Sequence, residues 1–118
     1  MTRKIAVFAV TALFALAAAP ATAGAENVEN AYESTVGGVS LPAGPGGTLM
    51  VRECDRCKPV SLRVVSDTRY IVGTPASPSV TLAAFRQASS DPRYARNLLT
   101  VFYALKTGTV TRVVLSGN

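Results

Sequence analysis

From residue 48 onward, apolar and polar positions alternate in short runs bounded by turn residues, the period-two signature of half-buried strands. In TLMVREC (48–54) Leu49 and Val51 share one face, and in VSLRVVS (60–66) Leu62 and Val64 do. Arg52 and Arg63 then fall on the opposite face, toward solvent. TRYIV (68–72) reads as a third strand. GTPASPS must be a loop, because two prolines so close together cannot serve a central ladder. VTLAAFRQA reads as a short helix, with Ser79 or Thr81 near its N-cap and Leu82 and Phe85 on one face. In SSDPRYARN, Asp91 followed by Pro92 suits the start of a second helical turn. The final pair, LLTVFYAL (98–105) and TVTRVVLS (109–116), is joined by Lys106-Thr107-Gly108, with Gly108 where a type I turn plus bulge needs a positive φ.

Strand, strand, strand, helix, strand, strand is a mainly β order, at the margin of α+β. It predicts a small antiparallel barrel or a curled five-stranded sheet with one or two short helices closing one end. Alternating helices, which a doubly wound parallel sheet requires, are absent.

Upstream the pattern changes. Residues 24–47, GAENVENAYESTVGGVSLPAGPGG, are polar or glycine-rich without sustained apolar periodicity, so they read as a flexible arm. Within the arm, GGVSL can lay one short strand on the domain, with Val39 and Leu41 facing the same side. Residues 1–23 combine two positive charges in MTRK, a short apolar run and small residues at A-x-A spacing, which is the layout of a secretory signal peptide. Cleavage is expected after Ala23 or, in a second register, after Ala25. The apolar run is shorter than a membrane-spanning helix and no second one follows it. No cysteine stands just past either cut to carry a lipid anchor. The leader looks bacterial, and the expected destination is the periplasm or the medium. The remaining residues, 48–118, form one small β-rich domain.

Composition narrows the chemistry. The chain has 12 basic and 7 acidic residues, no histidine and a formal charge of +5, of which Arg3 and Lys4 in the leader supply two. The basic residues of the domain are spread rather than clustered, so a solvated surface is expected and a nucleic-acid partner is not. An anionic envelope component remains the alternative partner, with Arg52, Arg63 and Arg112 as its contacts. General acid–base work would fall to Glu53, Asp55 or Asp67, yet no serine stands at a recognisable spacing from a base. GPGG (44–47) lacks the Lys-Ser/Thr and helix of a phosphate loop and reads as a linker. No enzyme constellation and no cofactor are expected. The aromatic residues of FRQ, RYA and VFY are read as core, with a stacking surface for bases or sugars as the alternative.

The only two cysteines stand in ECDRC (53–57). A redox C-x-x-C needs its first thiol at a helix N-terminus, whereas Lys58-Pro59 and a β-rich run follow Cys57. Zinc would need further ligands, and the chain has no histidine. In an oxidising compartment the pair is read as a structural disulfide between Cys54 and Cys57, closing the turn between two strands. A periplasmic thiol-redox role, or Cu(I) held by Cys54, Cys57 and Met50, is the alternative.

LRVVSDTRYIVGTPASPSVTLAAFRQA followed by LLTVFYALKTGTVTRVVLSGN resembles small secreted bacterial domains of unknown function with an OB-like barrel. The shared features are a strand ending in T-x-Y, V-T-L-x-x-F, then V-x-Y and a terminal strand after T-G. Where those domains turn through a short Gly-Asp corner, this chain has RQASSDPRYARN. The resemblance implies a barrel and carries no catalytic residues. The expectation is an exported, non-enzymatic binding or structural domain of the cell envelope.

Overall fold

A computed structural model describes residues 28–117; the expected signal peptide, 1–23, lies outside the described residues. The chain is mainly β. Its elements run β1 (Glu29–Thr35), a one-turn 3-10 helix (Val36–Gly38), β2 (Val39–Ser40), β3 (Thr48–Val51), β4 (Val60–Arg63), β5 (Arg69–Gly73), β6 (Ser79–Val80), α1 (Leu82–Ser89), a second 3-10 turn (Pro92–Tyr94), β7 (Leu98–Ala104) and β8 (Val110–Ser116). They form a five-stranded sheet in the order β1-β7-β8-β5-β6 and a three-stranded sheet in the order β2-β3-β4.

Two expectations are corrected by this arrangement. The five-stranded sheet is mixed rather than antiparallel, because β5 runs parallel to β8, pairing Tyr70 with Val113 and Val72 with Leu115. The crossover between them carries α1, and a crossover of that kind is what parallel neighbours require. No barrel closes among the described residues: β6, only two residues long and preceded by Pro78, ends the large sheet, and the contact of β4 with the large sheet is one isolated bridge, Arg63 with Thr109. The reading of 24–47 as an arm also fails over β1, whereas the short strand expected within GGVSL is present as β2, paired with β3. β1 pairs along its whole length with β7, from Glu29 opposite Ala104 to Thr35 opposite Leu98. On the side that buries Ser34, Asn30 is polar and exposed, so the strand lacks the apolar alternation that would have marked it. GPGG is likewise not a free linker, since the Gly47 carbonyl accepts from Val64 N–H at 2.9 Å.

The core lies between the two sheets. From the small sheet come Leu49, Val51 and Leu62, with Val64 just beyond β4; from the large one come Leu99, Val101, Val113 and Leu115, all buried. Their register explains the packing, because Leu49 faces Leu62 in one sheet while Leu99 faces Leu115 and Val101 faces Val113 in the other. α1 contributes Phe85, fully buried and 5.3 Å from the Tyr70 ring. The helix starts where its chemistry allows: the Thr81 hydroxyl accepts from Ala84 N–H, and Asp91 caps the Pro92–Tyr94 turn by accepting from Arg93 N–H. In the β7–β8 hairpin Gly108 adopts φ +72°, as its place in the turn demands.

Candidate functional site

The β3–β4 hairpin positions most of the residues singled out above. Val51 opposes Val60, so residues 52–59 form its connection. Cys54 and Cys57 are joined in a disulfide with Cα atoms 5.0 Å apart, and Cys57 N–H donates to the Cys54 carbonyl at 3.1 Å. The bond therefore clips a β-turn, and no helix begins at Cys54 to acidify a thiol. The root of the turn is tied to the β1–β2 corner. Arg52 N–H donates to the Gly38 carbonyl and the Ser34 hydroxyl donates to the Arg52 carbonyl, both at 2.7 Å. This crossing is tight enough that a Cβ on Gly38 would run into the Ser34 hydroxyl and the Arg52 carbonyl.

Outside the hairpin, the small sheet presents one continuous face. With Leu49, Val51 and Leu62 inward, the alternate positions Thr48, Met50, Ser61 and Arg63 point outward, joined by Ser40 of β2 and by Arg52. No carboxylate stands on this face. Neither Arg52 nor Arg63 has an ion-pair partner among the described residues. A shallow groove of about 330 Å³ runs over it, lined by Ser40, Met50, Arg52 and Pro59 beside the Gly37–Gly38 backbone.

Arg112 is not brought to that face. It sits on the large sheet with its guanidinium 3.9 Å from the centre of the Phe102 ring and 3.7 Å from the Glu29 carboxylate, so its charge is already engaged. Glu29 also takes the Thr111 hydroxyl.

On the other side of the disulfide turn the character is acidic. A cleft of about 510 Å³ is lined by Glu33, Glu53, Cys54 and Asp55 together with Ser34 and Leu98, and Arg52 borders it too. Glu53 accepts the Glu33 N–H on the open edge of β1 at 3.2 Å. Tyr32 and Tyr103 stack with ring centres 5.0 Å apart. A hydrogen bond from the Tyr32 hydroxyl to Tyr103, then burial and the charges of Tyr103 and Glu53, raise the Tyr32 phenol above its ordinary value. Among the described residues no group of three or more cysteines or carboxylates could hold a metal ion. Met50 lines the outer groove and Cys54 the acidic cleft, so neither of these two gathers the three sulfurs of the Cu(I) alternative. Asp67 stands exposed in the turn between β4 and β5, remote in sequence from both.

The aromatic residues divide. Tyr70 and Phe85 belong to the core, where burial raises the Tyr70 phenol, whereas Tyr32 and Tyr103 pack on its margin. The feature missed in the sequence is Arg86, one position past the buried Phe85 and bonded to the Pro42 carbonyl at 2.7 Å. A signal for it did exist: Ser89 continues the inward spacing of Leu82 and Phe85, a polar residue where a core helix would carry an apolar one. Compared with protein-family models, with curated proteins and with solved structures, the chain matches none.

Proposed function

We propose that this chain is an exported, non-enzymatic binding domain whose small sheet engages an anionic component of the cell envelope. One observation carries the reading: Arg52 and Arg63 share an exposed face and neither has an ion-pair partner among the described residues, although Arg52 also borders the acidic cleft. Arg63 stands opposite Thr48, four residues from Arg52 along the neighbouring strand. At the rise of a strand the two lie roughly 13 Å apart. A polymer or surface with repeated negative charges can meet both, while hydroxyls and the Met50 thioether fill the space between. The Cys54–Cys57 bond supports an oxidising compartment, and the leader pattern supports export.

The test is co-sedimentation of the mature protein with vesicles containing lipopolysaccharide, against neutral phosphatidylcholine vesicles. Binding should fall with added salt, and the double variant R52Q/R63Q should weaken it by about tenfold, while R112Q leaves it unchanged. Equal binding by wild type and R52Q/R63Q would overturn the reading. Export is checked by the intact mass of the protein from a periplasmic extract, which should begin at Gly24 or Glu26. An uncut chain beginning at Met1 would remove the argument about compartment.

A further inference from the structure

Ser89 does not enter the core. With Arg86 and Ser90 it forms the helical wall of a cleft of about 280 Å³ between α1 and β2, whose remaining lining is Ser40 and the apolar Val36, Val39, Leu41 and the almost completely buried Leu99. Two features give this cleft a direction.

The first is an anchored cation. Arg86 Nη1 donates to the Pro42 carbonyl, which ties the guanidinium to the segment following β2 and leaves its other N–H groups without a partner among the described residues. Among the described residues no carboxylate lines the cleft. The Ser89 and Ser90 hydroxyls donate to the Arg86 carbonyl, which leaves Arg86 as the charged donor of the cleft.

The second is a strand edge. In the β2–β3 ladder Arg52 N–H donates to the Gly38 carbonyl, so Gly38 and Ser40 turn their backbone groups toward β3 while Val39 and Leu41 turn theirs away. Val39 N–H is taken by the Val36 carbonyl. Leu41 N–H has no partner among the described residues.

A fixed guanidinium, an open backbone donor on a strand edge and an apolar lining are the groups that capture the end of an extended chain. We propose that the cleft between β2 and α1 binds the carboxyl terminus of an extended peptide whose last residue is small and apolar. The terminal carboxylate meets Arg86, a peptide carbonyl accepts from Leu41 N–H, and the last side chain rests on Val36, Leu41 and Leu99. The volume admits the final one or two residues, and the rest of the peptide leaves along the short edge of β2. This site adjoins the Arg52/Arg63 face, sharing Val39 and Ser40 of β2 with the groove there, but uses neither arginine.

The probes are acetyl-Gly-Ser-Ala-Val with a free carboxylate, the same peptide as its C-terminal amide, and sodium isobutyrate, each titrated into the mature protein and followed by backbone amide resonances. The free acid should shift the Leu41, Ser89 and Ser90 amides and bind about tenfold or more tighter than the amide, as a charge-assisted contact requires. Isobutyrate, lacking the backbone contact, should bind more weakly than the acid peptide. R86Q should bring the acid down to the level of the amide, whereas R52Q/R63Q should leave it unchanged. Acid and amide binding alike, or shifts that bypass Leu41 and Ser89, would overturn the proposal. Isobutyrate binding as tightly as the peptide would overturn the peptide assignment in favour of small carboxylates. The acid–amide comparison is made on the unaltered protein, so it decides the matter even if R86Q fails to fold.

Discussion

The small sheet is built from strands adjacent in sequence, β2, β3 and β4, whereas the large one unites the first strand with the last and sets β5 beside β8 across a helical crossover. The difference shows in their side chains. β3 and β4 keep a clean alternation, buried on one face and exposed on the other. The centre of the large sheet does not: Val113, Val114 and Leu115 are consecutive and all buried, and Tyr70 and Ile71 of β5 repeat this. Local pairing with one wet face makes a sheet easy to form and lightly held. Distant pairing with both faces covered at β5 and β8 should make one that is held more firmly.

The largest effect should separate the two sheets directly. Leu115→Ala removes a fully buried side chain from the large sheet and should lower the unfolding free energy by about 2–5 kcal/mol. Leu62→Ala, at the rim of the small one with 7% exposure, should fall at the lower end of that range. Chemical denaturation of the two variants breaks the comparison if Leu62→Ala proves the more damaging.

The next two tests set one hairpin turn against the other. Gly108 holds the β7–β8 turn by its conformation alone, since a Cβ there would meet nothing within 4 Å. Gly108→Val should therefore cost about 1–3 kcal/mol through backbone strain, and an unchanged thermal midpoint would show that the turn does not need φ +72°. The β3–β4 turn is held covalently instead. Alkylation before reduction should find no free thiol, and Cys54→Ser/Cys57→Ser should destabilise by about 2 kcal/mol, the chain-entropy value for so short a loop. A double variant as stable as wild type but without function would move the cysteine pair from scaffold to chemistry and revive the thiol or Cu(I) alternative.

The smallest effect lies in the crossover. Asp91 accepts from the Arg93 backbone and guanidinium, which holds its carboxyl below the ordinary value. A depressed folded value means a contribution fully present above the unfolded pKa and lost as pH falls through the folded one. Asp91→Ala should thus lower the thermal midpoint slightly near neutrality, with the gap from wild type narrowing in acid. Because the pair is exposed, the gap is small throughout. A gap that widens in acid would contradict this account.

The sequence by itself determined the elements whose cause is local. Alternation placed β3 and β4, and short β-rich runs bounded by turn residues placed β5 and the last hairpin. Thr81, Asp91 and Pro92 marked helical starts, Gly108 a turn, and the flanks of ECDRC argued for a disulfide rather than a redox helix. Each of these depends on neighbours within a few residues, and such neighbours are visible in any short window. Only the tertiary structure decided the rest. β1 is a strand because β7 supplies its ladder partners, although the polar, exposed Asn30 on the side that buries Ser34 gives no apolar period. β8 meets β5 in parallel because the crossover returns it there, and the large sheet stays open because β6 ends it after two residues. Arg52 and Arg63 share a face through register, and Arg112 is withdrawn by Phe102 and Glu29. The cleft at Arg86 needs a helix and a strand edge about forty residues apart in the chain, and contacts between segments so far apart leave no mark on the local spacing of either.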